Sequence, residues 1–427
     1  MNPTAPPDTL PAPPVAPPGL GGTTQPPAPP LADEPSPVRG ISRNVFLIGL
    51  VSFCNELATS LLYPVVPIFL ATTLGAPYAA IGLVEGTADA LSAGLKGASG
   101  WVGDRFGGKK QMITLGYLLS ALAKPLLGVA TGWPMVLGAR VVDRLGKGLR
   151  SAPRDALIAD SASAATRGRA FGFHSAADTA GGVVGPLFAL GLIAWLGEGN
   201  LRPIFVLALL PGLGAAALMA LTRDSARAEP KRGGAAGRIV WTRPLAGFLA
   251  ISVLFGLVNS SDAFLILRAK NLGLSTVLVI AAYIVYNVVY TLLATPAGDW
   301  SDRVGRKPAF VLGLLIFAGV YAGFALAGGS EWVWPLFAVY GAYIALTDGV
   351  GKALLTDLAP KESRGTVLGL YQFGLGLSAL VASVLAGWLW DAVGAPAPFW
   401  LGAGGALVAA VLLLALPLRP DAQAAAA

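Results

Sequence analysis

Gly100-Trp-Val-Gly-Asp104-Arg105-Phe-Gly107-Gly-Lys109-Lys110 is answered 198 positions later by Gly298-Asp-Trp-Ser-Asp302-Arg303-Val-Gly305-Arg306-Lys307. Each copy is a short charged turn wedged between two long apolar runs. An Asp-Arg pair held at one depth, twice, in an otherwise lipid-soluble chain implies a duplicated membrane protein. It also implies moving parts that lock on the side where those charges sit.

Working outward from the repeat, twelve apolar runs lie near 44–70, 78–102, 111–131, 133–150, 169–195, 201–222, 245–268, 275–299, 308–328, 332–358, 363–390 and 396–417. Each is long enough to cross a ~30 Å hydrocarbon core as a helix. Of the 427 residues, 55% are hydrophobic and 12% charged, where a soluble domain carries about a quarter charged. Membrane strands would be half as long and alternate in character. The expected class is therefore an all-α membrane protein, with twelve transmembrane helices in two pseudo-symmetric six-helix bundles. The chain divides into a proline-rich tail (1–40), an N-terminal bundle (41–222), a polar linker (223–243), a C-terminal bundle (244–418) and a short tail (419–427).

Fourteen of the 33 prolines fall in residues 1–38, which reads as a disordered, partly polyproline-like segment. It is either a solvated leader or an adaptor-binding arm. It lacks the basic start and apolar core of a cleaved signal, so the first span is expected to act as an uncleaved one. The single Cys54 allows no disulfide framework or multi-cysteine metal site, and no cofactor is expected.

The net charge of +7 is not gathered on one soluble face, so no nucleic-acid partner is implied. Arg105, Lys109 and Lys110 follow the second span. Arg144, Lys147, Arg150, Arg154, Arg167 and Arg169 are assigned to the turn between spans four and five. Arg223, Arg227, Lys231, Arg232, Arg238 and Arg243 fill the linker, and Arg303, Arg306 and Lys307 follow span eight. The opposite loops hold Arg202, Arg268 and Lys270. This positive-inside asymmetry places both termini and both hinges in the cytoplasm, in an inner or plasma membrane.

The halves match beyond the hinges. Trp133-Pro134 answers Trp334-Pro335, Asp143-x-x-Gly146-Lys147 answers Asp348-x-x-Gly351-Lys352, and Arg167-Gly168 with Gly172 answers Arg364-Gly365 with Gly369. Duplicated six-helix units meeting at the midplane are a recurrent transporter architecture. Over residues 41–418 the chain resembles a twelve-helix member of the major facilitator superfamily, whose most specific signature is the Gly-x-x-x-Asp-Arg-x-Gly-x-Lys hinge; Gly108 stands where that family usually has Arg. The run from Asp143 to Asp155 also resembles a prokaryotic branch with mostly unassigned substrates.

That resemblance implies a cytoplasmic gate built from Gly100, Asp104, Arg105, Gly107, Lys109, Gly298, Asp302, Arg303, Gly305 and Arg306. Asp104 is expected at the start of span eleven near Arg364-Gly365. By pseudo-symmetry, Asp302 is expected at the start of span five near Gly168-Arg169. A carboxylate there gains about 0.3–2 kcal/mol from free amides and the helix dipole. Gly100 and Gly298 would let helices approach closely. Asp143 is one of several acids open to Arg105.

Five acids lie within spans: Glu56, Glu85, Asp89, Asp178 and Asp262. A carboxylate at the bilayer centre costs on the order of 2.5–3.5 kcal/mol on insertion scales, so each is expected to face a polar cavity or a partner. Glu85, Asp89, Ser92 and Lys96 share one helical stripe, either a cavity wall with a titratable acid or a structural Asp89–Lys96 pair. A carboxylate taken out of water holds a proton more readily, which suits these acids to carrying one. Arg140 aligns with the arginine that the family implicates in proton coupling, although Arg144 replaces the glycine expected four residues on. Lys124 either pairs with an acid or snorkels outward. His174, one turn from Asp178, is expected to be solvated or to cap a helix. Trp101, Trp133, Trp195, Trp332, Trp334 and Trp388 sit near span ends, as an interfacial belt requires.

Gly172, Gly181, Gly185 and Pro186 resemble the family's antiporter motif on span five, and Leu57-Ala58 with Pro64-Val65-Val66-Pro67 resembles a drug:proton antiporter motif on span one. The expected function is secondary active transport by alternating access, as proton-coupled efflux of a small organic solute or drug, acting as a monomer in the lipid bilayer. Proton-coupled import or uniport of a metabolite is the alternative, and a non-transporting sensor or scaffold a remote one. One His and one Cys offer almost nothing to an enzyme. Gly351-Lys352-Ala353 lacks the rest of a phosphate loop.

Overall fold

The computed structural model describes residues 38, 40–105, 109–163, 166–224, 239–360 and 363–417, with backbone alone over 96–105. The linker and both tails lie largely or wholly outside these residues, as do Gly107 and the side chains of Lys96, Gly100, Trp101, Asp104 and Arg105. Among the described residues every regular element is helical. The N-terminal half contains α1 (Arg43–Leu62), α2 (Val65–Ile68), α3 (Tyr78–Arg105), α4 (Lys109–Gly128), α5 (Trp133–Asp160), α6 (Arg167–Leu196), α7 (Arg202–Leu207) and α8 (Leu209–Ala220). The C-terminal half contains α9 (Arg243–Gly256), α10 (Ala263–Asn271), α11 (Thr276–Val304), α12 (Arg306–Leu326), α13 (Val333–Leu358), α14 (Arg364–Ala392) and α15 (Ala397–Ala415).

Helix starts follow local chemistry. Ser42, Thr242 and Ser275 accept from the amides of Val45, Leu245 and Leu278, satisfying donors that a helix start leaves free. Gly305 turns the second hinge at φ +97°, a left-handed conformation that side chains avoid. Two spans are broken. The first stops at Tyr63, because Pro64 supplies no amide, and resumes as α2 and a π-helical turn, Phe69–Thr73. Its partner in the repeat, span seven, unwinds between Gly256 and Ala263 through Asn259-Ser260-Ser261-Asp262, side chains that compete for backbone hydrogen bonds.

The halves pack alike. α1 lies on α6 and α8, and α4 on α5; α9 correspondingly lies on α14 and α15, and α12 on α13. Arg202 donates to the carbonyls of Gly128 and Ala130 (2.7 and 2.9 Å) at the end of α4, and Arg268 to those of Phe324 and Ala327 (both 3.0 Å) at the end of α12. Cations at helix C-termini offset the dipole there, so two of the three basic residues at the end away from the hinges have structural work.

Eight of the described spans are long and apolar enough to cross a bilayer on composition alone. α3, α4 and α5 fall outside that count, and each carries ion-paired charge inside the protein. The periphery is apolar: Leu292 is 68% exposed, Leu210 65% and Phe188 54%, a surface suited to lipid rather than water. Trp195, Trp332 and Trp388 stand exposed near helix ends.

α5 continues to Asp160, well past the expected boundary at 150. Arg144, Lys147, Arg150 and Arg154 therefore belong to a helix and not to a loop. Partners make this tolerable: Arg150 donates to Ser120 Oγ (2.6 Å) and the Gly116 carbonyl (3.2 Å), and lies 4.5 Å from the Tyr117 ring centroid.

The span-five motif is only partly a packing device. A Cβ at Gly181 would lie 2.5 Å from the Phe53 carbonyl oxygen and one at Gly185 2.7 Å from the Leu61 amide nitrogen, both on the first span, whereas one at Gly172 meets nothing within 4 Å. Pro186 is buried beside them. Gly181→Ala should cost about 1–3 kcal/mol by overpacking, while Gly172→Ala stays within about 0.5 kcal/mol of the parent. Thermal unfolding of the purified protein in detergent reads the difference.

Candidate functional site

Between the halves lies a cavity of about 400 Å³. α1 contributes Glu56, Thr59, Ser60 and nearby Tyr63; α3 contributes Asp89 and Ser92; α5 contributes Arg144 and Lys147; α6 contributes Asp178 and Thr179. α11 forms the opposite wall with Tyr283, Asn287, Tyr290 and Thr291. All the charge is therefore on the N-terminal wall, facing an uncharged aromatic and amide wall.

Glu56 accepts from Ser60 Oγ (2.9 Å), and among the described residues Glu56, Asp89 and Asp178 form no ion pair. Arg144 is neutralised by Asp143 (3.3 Å), which also faces Lys124 (3.6 Å). Lys147 also stands without an ion-pair partner among the described residues. Three acids against Arg144 and Lys147 leave the chamber lining net negative. Tyr63 and Tyr283 stack across the halves, centroids 5.5 Å apart.

The expected cavity acids divide. Glu56, Asp89 and Asp178 come together at the chamber. Glu85, on the same stripe as Asp89, is 3% exposed and forms a buried ion pair with Arg140 on α5. Neither lines the chamber. Asp262 sits where span seven unwinds, accepting from the Tyr340 hydroxyl (2.7 Å) within a group of tyrosines and phenylalanines packed at tilted and edge-on angles. It too is withheld from the chamber wall. Burial drives both outcomes: an ionised group deep in the bundle needs a partner more than it needs water.

His174 is neither solvated nor a cap. It is 7% exposed, and its Nε2 is hydrogen-bonded to Ser52 Oγ (2.7 Å), joining α6 to α1. Lys124 pairs with Asp143 rather than snorkelling. The α11 wall was missed in the sequence. Tyr283, Asn287 and Tyr290 are four and three residues apart on one helical face, a polar stripe legible in an apolar span.

The hinges are symmetric but, where described, not locked. Lys109 pairs with Asp160 (2.8 Å), and Arg306 with Asp357 (2.5 Å), each 51 residues on. Asp302 pairs with Arg306 (3.2 Å) in its own hinge and does not reach the start of α6 as expected. Arg303 is exposed. A Cβ on Gly168, Gly298 or Gly365 would meet nothing within 4 Å, so Gly298 is no close-approach point here. At the other end of the bundle, a Cβ on Gly82 would lie 2.0 Å from the Ser383 carbonyl oxygen and one on Gly387 2.2 Å from that of Tyr78. The halves are shut at the end away from the hinges.

Two pseudo-symmetric helical bundles around a central polar chamber are the architecture of a membrane transporter. The sequence model of the Major Facilitator Superfamily matches residues 48–285 and 263–427, and the chain belongs to that family of membrane transporters. It is 34% identical over 385 residues to an uncharacterized MFS-type transporter of Methanocaldococcus jannaschii, covering 88% of this chain and 95% of that one. It is 23% identical over 334 residues to the multidrug resistance protein MdtH of Salmonella newport, covering 77% and 82%. Its fold superimposes on the nucleoside transporter NupG with a TM-score of 0.71 at 13% identity, covering 88% and 99%.

Breaking the buried pair gives a direct test of the charge accounting. Arg140→Leu should cost about 3–5 kcal/mol by stranding Glu85. Glu85→Leu/Arg140→Leu together should recover most of that loss in thermal unfolding.

Proposed function

We propose that the protein exports a small organic solute in exchange for protons, with a cationic or amphipathic solute favoured. The observation that carries this reading is the chamber itself: Glu56, Asp89 and Asp178, without ion-pair partners among the described residues, face the Tyr283–Tyr290 wall between the halves. An acid that is alternately hydrated and desolvated as the halves rock exchanges solute for proton, provided its proton affinity differs between the two states. A cationic solute then competes with the proton for the same carboxylates. The multidrug name of one relative points the same way.

The basic hinges and linker orient the chain with both termini in the cytoplasm of a cell whose plasma or inner membrane it spans. In that orientation the structure represents the state open to the cytoplasm, with Asp302 held by Arg306 in its own hinge. Rocking to the outward-open state brings Asp104 and Asp302 to the starts of α14 and α6, where free amides stabilise them. The gate acts once per cycle and makes no contact with solute. Residues 41–222 and 244–418 move as the two bodies, and one chain suffices.

Purified protein in proteoliposomes, given an imposed pH gradient and a panel of organic cations, neutral amphiphiles and sugars, should show proton-linked flux of a cation. Uptake driven with the gradient would make it an importer, and flux insensitive to the gradient would make it a uniporter. Asp89→Asn should remove the pH dependence of flux, with Glu56→Gln and Asp178→Asn weakening it. Asp104→Asn should slow turnover severalfold without lowering the amount inserted.

A further inference from the structure

The end of the bundle away from the hinges is held by a device that the family-based gate does not include. Glu198, in the turn after α6, accepts from the amide of Thr276 with one oxygen (2.8 Å) and from that of Val277 with the other (3.4 Å). Asp391, in the last turn of α14, accepts from Tyr78 with one oxygen (3.1 Å) and from Ala79 with the other (2.8 Å). In each case the carboxylate belongs to one half and the amides open a helix of the other half. Tyr78 and Thr276 are 198 positions apart, the spacing of the hinge repeat. The internal duplication therefore makes one bidentate contact twice, reciprocally.

The first amides of a helix have no internal acceptor and carry the positive end of the dipole. Ser275 takes the amide of Leu278, leaving those of Thr276 and Val277 for Glu198. Lys270 Nζ stands 3.6 Å from the same carboxylate. Partial burial pushes the Glu198 carboxyl up, but the Thr276 amide, Ser275, the Val277 amide and Lys270 together hold it below the ordinary glutamate range, so it is ionised at neutral pH. Asp391 is supported by packing, with Tyr78 stacked on Trp390 at 4.5 Å between centroids.

We propose that Glu198 and Asp391 are positioning residues for transport, forming a duplicated latch that holds the outer face shut. The inference rests on the alternating-access reading above. α3 and α11 then each carry a gate at both ends: a hinge aspartate of their own at the inner end, and free amides that receive the other half's carboxylate at the outer end. Opening the outer face breaks both carboxylate contacts as the hinge contacts form. The two sets exchange similar interactions, which keeps the two states close in free energy.

The test reads the outer face directly. Spin labels at Val129 and Leu326, exposed residues at the outer ends of α4 and α12, are placed in a Cys54→Ser background of the full chain in nanodiscs. Their separation is measured by pulsed electron resonance. Glu198→Gln and Asp391→Asn should each raise the population of the longer distance roughly three- to thirty-fold, and the double variant should raise it further. Glu331→Gln, an exposed outer-face acid without an ion pair among the described residues, should leave it unchanged, as should Glu198→Asp if it restores the contact. If the parent protein visits the long distance but neither amide variant enriches it, the latch is wrong and the carrier reading stands. If the parent never shows a longer distance at any pH or with any solute, both fall. Should an amide variant misfold, a bifunctional thiol crosslink between Glu198→Cys and Thr276→Cys replaces it. Abolished opening that returns on cleavage of the link supports the latch, and opening that persists across the link overturns it.

Discussion

An ionised group inside a bilayer must have either a partner or water, and the placement of side chains here follows from that requirement. Glu85 takes Arg140, Asp143 takes Lys124 and Arg144, and Arg150 takes Ser120 and a carbonyl. These arrangements consume most of the charge on α3, α4 and α5 inside the N-terminal half. The remaining acids are those that the water-accessible chamber receives. In the C-terminal half Asp262 is held by a tyrosine hydroxyl among packed aromatic rings, and Asp348, the repeat counterpart of Asp143, pairs with Lys352 (2.6 Å).

The halves repeat their contacts as well as their helices. The ion pairs Lys109–Asp160 and Arg306–Asp357, each within one half, share one spacing, and so do the helix starts that receive Asp391 and Glu198 across the halves.

The twelve spans, the two halves and the hinge pair were legible because hydrophobicity and charge along the chain report them directly. Boundaries failed where charge was read as loop: Arg144 to Arg154 resembled a cytoplasmic turn, but side-chain partners keep them in α5. The acids were found as a set, yet not sorted, because the choice between chamber and partner depends on which helix lies opposite. Nothing local to Glu85 distinguishes it from Asp89 one turn away, and only Arg140 on α5 does. His174 failed for the same reason, since its partner Ser52 lies on another helix. The breaks in spans one and seven were half visible: Pro64 announces the first, whereas Asn259-Ser260-Ser261-Asp262 in an apolar run offered a polar cluster without a proline.

The two seams between the halves are unequal. α3 and α14 interlock over much of their length, with Gly82, Gly86 and Gly376 seated against the opposing helix, while α6 and α11 touch far less. The looser seam is flanked by outward-facing Leu187, Phe188 and Leu292, a surface suited to acyl chains.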